Sequence, residues 1–247
     1  MNGATNVWVV AKRELKSYFA TPVAYVFLVV FLLLAGFMTQ FLGSFYERNQ
    51  ADLLAFFTWH TWMYLFLVPA ISMRLWSEER RNGTIELLMT LPITEGQAVL
   101  GKYFAAWLFA GFALALTFPV WITVSYLGDP DQGAILTGYL GSFLMAGAFL
   151  ALGSMISACT KNQVIAFVVT ATVCFFFVLA DLPFVANAID AYLPDFVGEL
   201  VRGIGFMTHF DGLQRGVVEL SSVLFFGSLI GFALYVNTLL VSHLKAS

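Results

Sequence analysis

The chain has 247 residues, of which 60% are hydrophobic and only 11% are charged. A soluble domain carries roughly 25% charged residues, so a single soluble core cannot account for this composition and lipid must surround most of the chain. The net charge of −3 does not bear on orientation, because topology follows the positions of Lys and Arg rather than their sum. Helices satisfy their own backbone groups in lipid, so the sequence predicts an all-α integral membrane protein.

Neither the two cysteines nor the first residues of the chain have the pattern of a secreted protein. Cys159 and Cys174 lie in or beside apolar segments without metal-ligand spacing, which favours packing residues over a disulfide. The first apolar segment follows a polar one, is too long for the core of a signal peptide and lacks an A-x-A site. We therefore expect no cleavable signal.

Residues 6–20 are too polar to span a bilayer and have the pattern of an amphipathic helix. Apolar residues recur there at helical spacing, namely Trp8, Ala11, Leu15 and Phe19, and the polar side carries cations: Lys12, Arg13 and Lys16. Cations on such a helix face anionic headgroups, which predicts an interfacial helix that ends before Pro22. A solvated leader before the first span is the alternative.

Six apolar segments follow, each able to supply the roughly 20 residues that a helix needs to cross hydrocarbon. They comprise residues 23–45, 53–75, 103–127, 135–158, 164–184 and 223–244. Nine of the twelve Lys and Arg lie on one side of this six-span arrangement: Lys12, Arg13, Lys16, Arg74, Arg80, Arg81, Lys102, Lys161 and Lys245. The positive-inside rule places that side, and both termini, in the cytoplasm.

Residues 183–222 fit neither a span nor a free loop. They are rich in apolar residues, but Pro194, several glycines and several acids interrupt any spanning helix. Re-entrant or interfacial helices on the outer face fit this pattern, since irregular backbone is tolerated at membrane depth where protein covers it. A plain extracellular loop is the alternative.

Residues 74–102 form a polar, densely charged interruption between apolar segments, which predicts a surface presented to a soluble partner. Residues 74–81 can continue the second span, and Asn82-Gly83 is a strong turn signal. Thr84 is a candidate N-cap for a short helix with Glu86 in its first turn, where the helix dipole favours an anion. The residue before Pro92 is pushed out of helical conformation, which ends this helix.

A helix this short is marginal in water, so its apolar residues, among them Leu87 and Leu88, need a covering surface. The residues alone leave two alternatives open: packing on the chain's own helices, or docking on a partner.

The loop resembles the first cytoplasmic loop of ABC-2-type permeases, the membrane subunits of one class of ATP-driven exporters. The resemblance lies in the run Glu78-Glu79-x-x-x-Gly83-Thr84-x-Glu86-x-Leu88-x-x-x-Pro92. The leader is similar to their N-terminal connecting helix through Lys12-Arg13-Glu14-Leu15-Lys16-Ser17-Tyr18-Phe19-x-x-Pro22. A later block, Met207-Thr208-His209-Phe210 with Gly216, looks like the gliding-motility-associated branch of the family.

The resemblance implies that the short helix is a coupling helix that docks in a groove of a separate cytoplasmic ABC ATPase, which binds ATP and Mg. Its coupling residues would be Glu78, Glu79, Gly83, Thr84, Glu86, Leu87 and Leu88, with Arg80 and Arg81 in the surrounding charged shell. It further implies a second permease copy, in a homodimer or heterodimer, and a place in a bacterial inner membrane. An envelope accessory protein is a further expected partner, and nucleic acid is not.

Other functions have weaker support in the sequence. Residues 96–102 match G-x-x-x-x-G-K, but Tyr103 replaces the Ser or Thr of a phosphate-binding loop and no strand precedes the run. No hydrolytic or metal motif is present, so we do not expect an enzyme. Spans without central charges disfavour an ion-coupled carrier. The alternative to an exporter is a membrane anchor that transmits ATPase work to envelope partners through residues 183–222 without transporting anything.

Overall fold

A computed structural model describes residues 3–48, 50–85, 92–192 and 195–246. The chain is all-helical over these residues and shows no strand among them. The helices are α1 Gly3–Phe19, α2 Pro22–Phe37 with a π-helical turn Met38–Leu42, α3 Leu54–Ser72, α4 Arg74–Asn82, α5 Glu95–Ala115, α6 Phe118–Leu127, α7 Gln132–Cys159, α8 Gln163–Leu179, α9 Pro183–Tyr192, α10 Asp195–Gly203, α11 Phe206–Gln214 and α12 Leu220–Ala246.

Within the described ranges, five helical runs are long and apolar enough to cross a membrane. They are Pro22–Leu42, Leu54–Asn82, Glu95–Leu127, Gln132–Cys159 and Leu220–His243. The segment 164–184, expected to be a further span, contains α8, an apolar helix of only 17 residues. That is shorter than the roughly 20 residues that a spanning helix usually needs. By length and composition the structure therefore supports five spans, against six expected from the sequence.

Helix α7 is the centre of the bundle. Seventeen of its 28 residues are buried, and it packs against α3, α5, α8, α11 and α12. Small residues along α7, such as Gly138, Ala148 and Gly153, allow the neighbouring helices to approach closely. The other helices are therefore positioned largely by their contact with α7.

Helix α5 begins at Glu95, eight residues before the expected start of the third span at Tyr103. The cause is a capping box: the Thr94 hydroxyl accepts the backbone N–H of Gln97, and the Gln97 side chain accepts the N–H of Thr94. The G-x-x-x-x-G-K run at 96–102 consequently lies in the first turns of this helix.

Helices α3 and α4 form one helical run that ends at Gly83. Gly83 has a φ of 69°, a left-handed conformation that glycine adopts without steric cost and that ends helices. Thr84, expected as an N-cap, is itself helical, and its hydroxyl donates to the carbonyl of Glu79. The expected coupling residues Glu86, Leu87 and Leu88 lie outside the described residues.

The elements expected on the cytoplasmic side share one end of the bundle. Asn6 of α1 donates to Gln97 of α5 over 3.1 Å, and Arg80 of α4 donates to the carbonyl of Ala158 near the end of α7 over 2.5 Å. At the other end, Thr58 near the start of α3 contacts Gln214 of α11. The cation-rich segments therefore lie together, as the charge pattern requires.

Three short helices, α9 to α11, lie between residues 183 and 214. Asp181 holds the last of them, because its carboxylate accepts the backbone N–H groups of Met207 and Thr208 and the Thr208 hydroxyl at 2.5–3.2 Å. Phe206, at the start of α11, is fully buried against the rings of Phe149, Phe177, Phe225 and Phe226. Helix α11 is thus fixed to α7, α8 and α12, whereas α9 and α10 pack mainly on each other.

Helix α1 lies against the start of α5 through its buried residues Val10 and Ala11. Lys12, Arg13 and Lys16 are exposed, as expected for the polar side of an interfacial helix, but so is Trp8, which was expected on the apolar side. The register of α1 therefore centres its packed face on residues 10 and 11.

The contact between α1 and α5 is closest at Gly101, where a Cβ would lie 2.6 Å from the Cβ of Val10. We expect Gly101→Ala to force the two helices apart and to cost about 1–3 kcal/mol of stability, the usual cost of overpacking. Thermal unfolding of the purified protein in detergent measures this loss.

Gly96→Ala is the matched control on the same helix, because its Cβ would meet only the Thr238 methyl group at 3.9 Å. If Gly101→Ala and Gly96→Ala unfold at the same temperature, the close contact of α1 with α5 is contradicted.

Candidate functional site

Lys102 is buried, with only 3% of its side chain exposed. An unpaired ammonium in such a position would be costly, but its Nζ lies 2.8 Å from Oε1 of Glu79 and 3.4 Å from Oε2 of Glu14. The same Nζ lies 5.4 Å from the ring centroid of Trp76, within the range of a cation–π interaction. Glu14, Glu79 and Lys102, here called the ion cluster, join α1, α4 and α5 at one cation.

The ion cluster has more negative than positive charge. Burial raises the pKa of Glu14, but Lys102 and Arg13 oppose this and together hold the pKa below its ordinary value of 4.5. Glu14 is therefore a carboxylate at neutral pH, and its Oε1 also accepts from Arg13 over 2.7 Å. In the described structure Oε2 of Glu79 is buried without a hydrogen-bond partner. Lys102 consequently lies between two partly buried carboxylates, of which Glu14 is also paired with Arg13.

Helix α4 is also joined to the last helix of the bundle. The indole Nε1 of Trp76 donates to the Ser154 hydroxyl over 3.2 Å, and Nδ2 of Asn237 donates to the same oxygen over 2.8 Å. None of the three side chains is exposed to solvent. Ser154 of α7 is thus a shared acceptor that connects α4 with α12, and we call these three residues the Ser154 link.

A second serine fixes the backbone of α4 where it continues α3. The N–H groups of Trp76 and Ser77 both donate to the Ser157 hydroxyl oxygen over 3.1 Å. The Ser157 hydroxyl in turn donates to the carbonyl of Met73 over 2.9 Å. Helix α4 is therefore bonded to α7 near its beginning by Ser157 and near its end by Arg80.

The structure brings some of the predicted site residues together and separates others. Glu14 and Glu79 meet through Lys102, whereas Glu78 forms an i,i+4 ion pair with Arg74, Nε to Oε2 2.9 Å. Lys12 and Lys16 are exposed. Gly83 and Thr84 mark the end of α4, and contacts of Glu86, Leu87 and Leu88 stay a prediction because these residues lie outside the described ranges.

Sequence reasoning missed the residue that holds the site together. The charge pattern of residues 74–102 suggests a loop cation at Lys102, but this lysine continues the buried stripe of α5 that includes Val99 and Ala106. A lysine in the apolar stripe of a helix predicts a buried ionic partner, and that signal was available. Asn237 gives a similar signal, because a lone amide inside an apolar span needs a partner.

Comparison with known families places the chain among membrane transporters. A family model described as ABC-2 family transporter protein matches residues 8–197, a range that includes the ion cluster and α2 to α9. No match to a curated protein was found. Because the match covers well over half of the chain, and because the structure supplies several membrane-spanning helices, this chain belongs to the ABC-2 transporter family of membrane permeases.

Proposed function

We propose that this chain is the permease subunit of an ATP-driven ABC-2-type exporter and that it couples ATP hydrolysis by a separate ATPase to export. Membership of the family implies an ATPase partner and a dimeric assembly. In this proposal two permeases and two ATPases form the complex in a bacterial inner membrane, and both termini are cytoplasmic. ATP and Mg bind to the ATPase, and the permease catalyses no reaction of its own.

The ion cluster is the observation that supports this function best. Helix α4 leads into the 83–92 segment and α5 begins just after it, and both helices contact α1 through Lys102. A force applied to the segment by a closing ATPase pair would therefore reach the interfacial helix and two spans together. Coupling of this kind requires that the loop contact the ATPase differently in its two states.

Six spans follow from the same proposal. The start of α5 at Gly96 lies close to Thr238 near the end of α12, so the last helix finishes at the end of the bundle where α1 lies. A chain that begins and ends on one side must cross an even number of times, and α8 is the apolar helix that can supply the sixth crossing. Local thinning of the bilayer accommodates a short span at modest cost.

The first test is a photo-crosslinker at Leu87, with the captured protein identified by mass spectrometry from native membranes. We expect capture of a cytoplasmic protein with a Walker motif. The matched control is a crosslinker at Tyr126, which is 90% exposed at the opposite end of the bundle and should not capture it. Capture of this chain alone from Leu87, or of the ATPase from both positions, would contradict ATPase docking at the loop.

The same proposal predicts that Glu86→Lys or Leu87→Asp uncouples the complex. Either change places an unfavourable charge where the coupling helix docks, so ATP hydrolysis should continue while transport falls, and the permease should stay folded. Hydrolysis and transport are measured together in reconstituted vesicles. Transport at the wild-type rate in both variants would contradict a coupling role for residues 83–92.

A second candidate function, a non-transporting anchor, is favoured by the outer helices. Helices α9 and α10 leave Phe184, Phe196 and Leu200 more than half exposed, as a surface for an envelope partner would. The resemblance to the gliding-motility-associated branch belongs with this alternative and rests on residues 207–210 and Gly216, beyond the matched range. Stimulation of the ATPase by envelope proteins favours the anchor, whereas stimulation by a transported substrate favours the exporter.

A further inference from the structure

A cleft of about 310 Å³ lies between the α1–α2 elbow, at residues 20–21, and the α3–α4 run, and its inner end borders the ion cluster. Its walls along the spans are apolar, with Val26 and Val30 from α2 facing Leu67 and Ala70 from α3. Val26 is 61% and Val30 38% exposed, so the cleft opens sideways, where a spanning helix meets lipid. We call it the elbow cleft.

The end of the elbow cleft beside α1 is charged with both signs. Arg74 and Glu78 line it as an ion pair with about a third of each side chain exposed. Glu14 approaches from the α1 side, while Lys102 is already held by Glu14 and Glu79. An occupant therefore meets a partly exposed guanidinium and the Glu78 carboxylate next to an apolar groove, with the negative charge of Glu14 close by.

We propose that the elbow cleft holds one zwitterionic phospholipid with an ethanolamine headgroup. An acyl chain lies along α2 and α3, the phosphate binds Arg74, and the ammonium donates to the Glu78 carboxylate. The guanidinium is the side chain best suited to phosphate, and a primary ammonium has N–H donors for carboxylates.

Charge complementarity favours this headgroup over others. A choline headgroup has no N–H to donate, and an anionic headgroup would add negative charge beside two carboxylates. A helix of a second copy would have to cover the Arg74–Glu78 pair and remove it from water, a cost that a zwitterion avoids by replacing its hydration. The bound lipid would then brace the α1–α2 elbow against α4, close to the ion cluster.

The test is lipid retention by the full-length permease, reconstituted with equal amounts of phosphatidylethanolamine and phosphatidylglycerol and then examined by native mass spectrometry. We expect one tightly held phosphatidylethanolamine per chain. Arg74→Gln, which removes the phosphate partner, should lower its retention about tenfold, the size expected for a lost charge-assisted contact. Ala70→Trp, which fills the groove, should also lower its retention. No ATPase is needed, so the result is independent of the coupling proposal.

Two matched controls keep the test specific. Arg81→Gln alters an exposed arginine of the same helix outside the cleft, and Leu140→Trp adds a ring at an exposed position of α7; both should retain lipid like the wild type. Equal retention in the cleft variants, or equal retention of phosphatidylglycerol, would overturn the proposal. So would a photo-crosslinker at Val26 that captures a second copy of the chain instead of lipid.

Discussion

A protein carrying Lys102→Met should unfold at a markedly lower temperature than the wild type, with a loss of about 3–5 kcal/mol, the cost of removing one partner of a buried ion pair. The methionine fills a similar volume but leaves Glu79 without its cation and Glu14 with Arg13 alone. The side chains of Glu14 and Glu79 are only 18% and 19% exposed. Repulsion between the two carboxylates should then loosen α1 from α4 and α5. Thermal unfolding of the purified permease measures the loss.

Neutralising the whole ion cluster separates stability from coupling. The triple variant Lys102→Met, Glu14→Gln, Glu79→Gln has no buried charge to compensate, and replacing an entire buried ion network with neutral groups is often close to neutral. It should therefore recover most of the stability, yet lose transport per ATP hydrolysed, because α1 is no longer held to both ends of the coupling loop.

Lys12→Met is the matched control, since Lys12 is an exposed lysine on α1. A single Lys102→Met variant as stable as Lys12→Met would show that the ion cluster does not hold these helices together. A triple variant that stays folded and transports normally would remove its role in coupling.

Hydropathy and charge predict the outline of this fold well. Apolar segments of about 20 residues can hardly be anything but helices in lipid, and five of them form helical runs of sufficient length. The turn at Asn82-Gly83 was also predictable, since Gly83 adopts the left-handed conformation that ends α4. These features depend on residues that are close together in sequence, and they can therefore be predicted from one sequence alone.

The site was less predictable, because it depends on which helices meet. Lys102 looks like a loop cation until α5 is seen to begin at Glu95, and a capping box of two residues decides that start. The Ser154 link joins side chains that are 78 and 83 residues apart. Periodicity indicates which face of a helix is buried, but not which neighbour covers it, and so the partners of Trp76 and Asn237 could not be assigned from sequence.

The Ser154 link leads to the second large effect. Ser154→Ala should destabilise the permease strongly, because it leaves the indole N–H of Trp76 and the amide N–H of Asn237 buried without an acceptor. Each donor left unpaired costs about 1–2 kcal/mol. Ser228→Ala, on the exposed side of α12, controls for the loss of a hydroxyl and should have little effect.

Adding Asn237→Leu to Ser154→Ala should raise stability again rather than lower it. Leucine has the branched shape of asparagine and leaves no donor to satisfy. It also removes Oδ1 of Asn237, which has no hydrogen-bond partner in the described structure. The two changes share one oxygen, so their effects should not be additive, as expected for residues in one network. Thermal unfolding of the wild type, both single variants and the double variant completes this double-mutant cycle. If the double variant loses the sum of the two single losses, the serine does not connect α4 with α12, and force from the coupling loop must reach the last helix by another route.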